Sequence, residues 1–532
     1  MNPTFKTHGA TILAAAVRAL YAEGQTDYSL EPIVRVDSSG APVGSVQDGD
    51  AVIFCCRRGE REVELTEAFV EPGFAHFERR LLSDLHFVIL TLYHEKFTYL
   101  PVAFAPSELK NTLGEVVSQA GLRQLRAAES EKYAHVTFFL NGGNNRPFEG
   151  EQDVRIPSPR GVPFDQVPEM SLAQVSARVV EGVREGIPLI VTNFANGDVI
   201  GHSSNHPAKV TCAGVVDRRL GEVVQNARSA GYVVMVTADH GNLEVLQNPD
   251  GKPHVSHTTN PVAFILVDGK AQHEVKLRNG CLADLAPTIL DAMGIQKPQE
   301  MTGQTLALGY DWGGPRKVLL IILDGWGLGS QDANNPIWEA DTPNWDELLK
   351  QQPHSELHAS GEFVGLQEGK AGNSEAGHLN IGAGRVVPQD DVRLETAMED
   401  GSFYTNKVFL ETIERVKSSG RRLHLIGLLT EKSSHGSIDY PLALLKMSRE
   451  AGLNDVFLHL IFDGRSTEPG SAPALLEKLE AQMTEIGVGQ VATGTGRGIA
   501  LDRDGNYAKI QKTYAAMVDG VGRHAVDPEG GK

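Results

Sequence analysis

The chain has 532 residues, 41% of them hydrophobic, with 49 Lys and Arg against 68 Asp and Glu and a net charge of −19. Such a length is enough for about 2–4 domains at ~150 residues each, and the acidic balance argues against nucleic acid or an anionic membrane surface as partner. No apolar run approaches the ~18–20 residues of a membrane span; the opening MNPTFKTHGA lacks the basic stretch and apolar core of a signal peptide, and Cys55, Cys56, Cys212 and Cys281 are too scattered for a disulfide framework, so a reduced, cytoplasmic protein is expected.

In chain order, SLAQVSARVVEGVREG (171–186) reads as a helix and IPLIVTNFANGD (187–198) as a strand entering a polar turn. GYVVMVTADHGN (231–242) repeats that strand-and-turn pattern. NPVAFILVDG (260–269) supplies a further strand, and CLADLAPTILDAMG (281–294) is a helix closed by Gly294. LGYDWGGPRK (308–317), with its glycines and proline, is a linker or a tight surface loop. In KVLLIILDGWG (317–327), residues 318–323 have the length and β-branched content of a strand buried on both faces. Asp324 then stands at the strand's carboxyl end, where open α/β sheets bind ligands. RLHLIGLL and DVFLHLIFDG, within 421–465, repeat the pattern. Strands alternating with helices imply parallel α/β layers.

Chemistry-bearing residues gather at the mouths of these predicted parallel strands. NGDVIGH places Asp198 and His202 one helical turn apart on one face. TADHGN puts Asp239 and His240 directly after a strand, and HVSHTTNP offers His254 and His257 just before another. With Asp324 this makes three acids and several histidines, a donor set suited to zinc or manganese. Each piece alone also reads as a surface pair or a structural histidine; the set reads as a metal site. In GNSEAGHLNIGAGR (372–385), Ser374 sits in a glycine-rich turn before a helix. It reads either as an N-cap or as a nucleophile, and the second role needs a base or a metal to lower its pKa.

Together LDGWG, GNSEAGHLNIGAGR, SEKYAHVTFF, NGDVIGH, TADHGN and HTTNP resemble the cofactor-independent phosphoglycerate mutase family of the alkaline phosphatase superfamily. The resemblance covers nearly the whole chain in a changed order. The family's amino-terminal motifs lie at 317–532 and its carboxyl-terminal motifs at 1–307, so the chain looks circularly permuted, its old ends joined through ALGYDWGGPRK. The implied fold is α/β with two domains. One is an alkaline-phosphatase-like α/β sandwich with a mostly parallel sheet, at 104–394, containing the fused termini near 308–317. The other is an α/β substrate domain split into 1–103 and 395–532.

By the same resemblance one metal site takes Asp324, Ser374, Asp239 and His240, and the other takes Asp198, His202 and His257. The metals are two divalent ions, manganese above others; His254 falls off the ligand pattern and is supporting or structural. The substrate-binding residues are Arg58 and Arg61 in CCRRGER, Lys132 in SEKYAH, His435, Arg465, Ser466, Arg497 and Arg503. Arginine forks and a lysine suit a ligand carrying both phosphate and carboxylate. GTGRG (494–498) lacks the full spacing of a dinucleotide loop. Where the family has an acid after DGR, this chain has Ser466, and the region around His435 lacks the family's second histidine. The implied activity is interconversion of 3-phosphoglycerate and 2-phosphoglycerate in glycolysis and gluconeogenesis, through a phosphoserine at Ser374, by a cytoplasmic monomer with a small-molecule substrate. A metal-dependent phosphatase, or a mutase acting on another phosphate ester, is the alternative.

Overall fold

The computed structural model describes residues 7–57, 61–106, 109–270, 275–431, 433 and 435–526. The chain forms two units, Ser107–Val392 and Met1–Pro106 with Arg393–Lys532. Each is built on one eight-stranded sheet, and the fold is α/β with two mostly parallel sheets. No described helix is long and apolar enough to cross a membrane.

In Ser107–Val392 the strand Val318–Leu323 lies inside the sheet, between Val233–Thr237 and Leu189–Phe194, and is parallel to both. All six of its residues are buried, as expected for a strand covered on both faces. Gln124–Glu129 and then Glu151–Ile156 extend the parallel series on one side. On the other side Val262–Asp268 pairs antiparallel with Val233–Thr237. That corrects the all-parallel expectation for strands bearing site residues, and it has a consequence for His257 described below. Helices Leu172–Arg184 and His206–Ser229 bury apolar residues in the same core as these strands.

The segment 308–317 is clamped rather than loose. Arg316 grips Asp268 with both guanidinium nitrogens, at 2.9 and 2.6 Å, and Tyr310 donates to the same carboxylate at 3.1 Å. Trp312 donates to Asp291 at 3.0 Å. A two-pronged arginine–carboxylate pair fixes direction as well as distance.

The other unit's sheet has Leu423–Leu429 between Val456–Phe462 and Ala51–Phe54, all parallel. His86–Thr91 and Val102–Phe104 continue one side and Gln490–Gly496 the other. Side chains alternate between two cores across this sheet. Cys55 packs into one and Cys56 into the other, which gives two adjacent cysteines ordinary packing roles.

Candidate active site

Four adjacent parallel strands end at one rim of the Ser107–Val392 sheet. Asp324 follows Val318–Leu323, and Asp239 and His240 follow Val233–Thr237. Asp198 follows Leu189–Phe194 on the short helix Asn196–Gly201, and Lys132 ends a turn after Gln124–Glu129. His257 arrives by another route: Val262–Asp268 runs antiparallel, so the residues before its first position stand where the other strands finish. The Asp-Gly pair at 324–325 lets two acid-bearing loops touch. Gly325 has φ +69, and a Cβ there would meet the Asp198 backbone at 2.7 Å.

Ser374 is the first residue of the helix Ser374–Ala383, and Asn373 is the cap, its side chain accepting from the Ala376 amide at 2.9 Å. The capping role is therefore taken, and the serine hydroxyl turns into the acid cluster. Lys132 Nζ donates to Ser374 Oγ at 2.6 Å, Asp198 Oδ2 at 2.6 Å and Asp324 Oδ1 at 2.7 Å. Ser374 Oγ also lies 2.9 Å from His240 Nε2 and donates to Asp324 Oδ1 at 3.1 Å.

The three histidines share one arrangement. His240 Nδ1 is 3.2 Å from the Gly241 carbonyl, His202 Nδ1 2.9 Å from that of Val255, and His257 Nδ1 2.8 Å from that of Gly372. A carbonyl only accepts, so each Nδ1 carries the proton and each Nε2 faces the acids. His202 and His257 Nε2 stand 3.2 and 3.0 Å from Asp198 Oδ1, and His240 Nε2 stands 3.5 Å from Asp239 and 3.7 Å from Asp324.

In the other unit the cations sit in loops that follow parallel strands. Arg61, largely buried, donates to the Leu501 carbonyl at 3.1 Å. His435 Nδ1 lies 3.8 Å from the buried Glu62. Arg465 and Ser466 are exposed beyond Val456–Phe462; the Ser466 amide donates to Asp463 at 3.0 Å and its hydroxyl lies 3.2 Å from that of Ser433. Arg497 opens the helix after Gln490–Gly496, buried and ion-paired with Asp463. Arg503 is exposed. Arg58 lies outside the described residues.

A family model described as Metalloenzyme superfamily matches residues 32–297, half of the chain. The chain belongs to the metalloenzyme superfamily. A second model, described as the BPG-independent PGAM N-terminus, matches 394–529, after the first match rather than before it. A 2,3-bisphosphoglycerate-independent phosphoglycerate mutase of Moorella thermoacetica is 46% identical over 302 residues, covering 56% of this chain and 58% of the relative. One of the same name from Syntrophotalea carbinolica is 48% identical over 296 residues, covering 55% and 57%. The chain thus spans a little over half the length of these relatives. A crystal structure of Leishmania mexicana phosphoglycerate mutase at low cobalt concentration is similar at 27% identity and TM-score 0.39, covering 51% of this chain and 53% of that one.

The donor set of this metalloenzyme fits divalent cations. Of three buried carboxylates two share one lysine, three Nε2 atoms face them, and Oδ2 of the third, Asp239, has no hydrogen-bond partner among the described residues. Asp198, His240 and His257 form one group of converging donors, and Asp239, His240 and Asp324 another. The charges strain against one another. Burial and then Asp239 push the Asp324 carboxyl up, while the Lys132 ammonium is held above its usual range by Asp324, Asp198 and Asp239 against the cost of its own burial. Asp198 draws His202 upward, and holds His257 up against burial. A cation bound among these groups would offset the mutual repulsion of the carboxylates, which together with burial raises Asp324.

Sequence reading missed the residues that hold these acids in place. Asn193 donates to Asp324 Oδ2 at 2.6 Å, and Asn242 to Asp198 Oδ1 at 2.9 Å. His378, one turn after Ser374, sits 2.8 Å from the Ser374 carbonyl and 3.4 Å from Asp239. It was within reach of the i, i+4 spacing used for Asp198 and His202. His135 packs edge-on to His378 at 5.4 Å between ring centres, and burial, His378 and Lys132 push it down to about 3. His254 contributes its carbonyl, which accepts from Lys209 at 2.7 Å.

Proposed function

We propose that this metalloenzyme is a 2,3-bisphosphoglycerate-independent phosphoglycerate mutase, interconverting 3-phosphoglycerate and 2-phosphoglycerate through a phosphoserine at Ser374. The observation that carries the reading is the serine itself: its Oγ stands within 3.1 Å of a lysine, a histidine and an aspartate inside a metal donor set. Asp324, Ser374, Asp239 and His240 would hold one ion and Asp198, His202 and His257 the other, manganese in both. Metal bound there would supply a lowered pKa at the serine hydroxyl and charge to neutralise phosphoryl oxygens.

The chain's own residues do the rest. Ser374 donates its proton toward Asp324, and Lys132 donates to Oγ, which steadies the negative charge that develops. As the bond from Oγ to phosphorus forms, the glycerate oxygen leaves; the reverse transfer to the other glycerate hydroxyl frees the serine. Arg61, Arg465, Arg497, Arg503 and His435, with Arg58, would bind the carboxylate and phosphate. Retaining glycerate between the two transfers requires exclusion of water. The reading extends to a circularly permuted chain acting as a cytoplasmic monomer in glycolysis and gluconeogenesis. The permutation is supported by the order of the two family matches.

A metal-dependent phosphatase, or a mutase on another phosphate ester, is the second reading. It draws support from Arg497, whose charge is already matched by Asp463. The test of the metal-dependent mutase is chelation. Removing metal should abolish conversion of 3-phosphoglycerate and manganese should restore it, whereas full activity in protein shown metal-free by elemental analysis overturns the reading.

A further inference from the structure

Glu244 lies in the loop after Val233–Thr237, is 1% exposed, and is no ligand in the sets above. Its carboxylate takes four hydrogen bonds, one from each of four residues. Oε2 accepts from the Asn242 amide at 2.8 Å and the Gly327 amide at 3.0 Å; Oε1 accepts from the Thr258 hydroxyl and from Asn260 Nδ2 at 3.0 Å. Those donors belong to the three loops that carry Asp239 with His240, Asp324, and His257. Asn242 in turn donates to Asp198, so the third acid of the cluster is tied to the same point.

The seat is shaped for this group. A Cβ at Gly241 or Gly327 would run into the Glu244 carboxyl, and one at Gly329 would meet the Glu244 backbone oxygen at 2.8 Å. Direct bonds between the loops parallel the carboxylate's: Thr258 to Gly241 at 2.9 Å and Leu243 to Gly325 at 2.8 Å. A carboxylate has about four lone-pair sites, and here all four are used. Glutamine has the same shape but would turn an NH₂ toward two of the four donors.

We propose that Glu244 is the positioning residue that sets the spacing of both halves of the metal donor set, and through it metal affinity. The inference rests on the metal reading above. Residues that orient ligands typically change metal affinity by about 10–100-fold when altered. The full chain is titrated with manganese alone, and free ion is read by electron paramagnetic resonance. Glu244→Gln is expected to weaken both binding steps by about 10-fold or more, to shift the visible absorption bands of the cobalt-loaded protein, and to leave the far-ultraviolet circular dichroism of the metal-free protein as in the wild type. Thr258→Val removes one donor only, from the His257 loop, and should weaken one step and spare the other. Wild-type-like binding in Glu244→Gln overturns the inference, as does wild-type-like binding at both steps in Thr258→Val should Glu244→Gln fail to fold. A wild-type chain that binds no manganese overturns the metal reading itself, which separates the two failures.

Discussion

Ser374 Oγ and Lys132 Nζ stand 2.6 Å apart although 242 residues separate them in the chain. The sheet makes this possible, because Lys132 leaves one parallel strand at the same rim where Asp324 leaves another. A buried ammonium that touches both the hydroxyl and two acids raises the acidity of the one and balances the charge of the others.

Ser374→Ala should reduce mutase turnover by more than ~10³-fold, since loss of a covalent nucleophile is not made good by neighbouring groups. The Asn373 cap stays in place, so the fold should persist. Mass spectrometry of substrate-quenched protein should find phosphoserine in the wild type and none in the variant. More than trace turnover in Ser374→Ala rules out the covalent route.

The fold was legible in the strand pattern, and the acids at strand ends followed from it. The direction of Val262–Asp268 was not, because an isolated apolar run carries no sign of whether its neighbour is parallel; only pairing with Val233–Thr237 decides that, and it decides where His257 stands. The carbonyls of Gly241, Val255 and Gly372 fix the histidine tautomers, and a backbone carbonyl has no sequence signature at all. Asn193 was hidden in a strand interior, where a polar residue reads only as an interruption.

A second buried network predicts a pH effect on stability. His424 Nε2 lies 3.1 Å from Asp50, His424 Nδ1 3.0 Å from His459 Nε2, and His459 Nδ1 2.9 Å from the Thr493 hydroxyl; one of the two facing ring nitrogens must accept, so the pair cannot both be protonated in this chain of bonds. Burial lowers both histidines below 6.5; Asp50 draws His424 back in part, Arg422 opposes that, and His424 lowers His459 further. The folded chain therefore refuses protons that the unfolded chain accepts. Stability is present above pH 6.5 and falls as the pH drops below it. His459→Gln should make that fall shallower by about 1.4 kcal/mol per pH unit, one proton's worth. Denaturant melts between pH 5 and 7 would show it, and an unchanged slope would contradict it.

Ser466→Asp should raise turnover, by up to ~10²–10⁴-fold if the residue supplies a proton-transfer group. The position is exposed, with its amide bonded to Asp463, so a carboxylate fits without displacing core residues. An equal or lower kcat would assign that task to another group, such as His435, or to water.

The fragment 107–392 should fold alone, because its apolar core draws only on its own residues. It should bind two divalent ions and show at most weak phosphatase activity, since it lacks Arg61, Arg465, Arg497 and Arg503. Circular dichroism, elemental analysis and product assay would decide. An unfolded fragment with metal present contradicts the division, and formation of 2-phosphoglycerate contradicts the role given to the arginines.

The central claim is that Ser374 passes a phosphoryl group between two hydroxyls of one glycerate. The most direct test is to supply the manganese-loaded chain with 3-phosphoglycerate and quantify both products at early times. The account predicts 2-phosphoglycerate in large excess over inorganic phosphate; inorganic phosphate with little or no 2-phosphoglycerate would contradict it and leave a phosphatase.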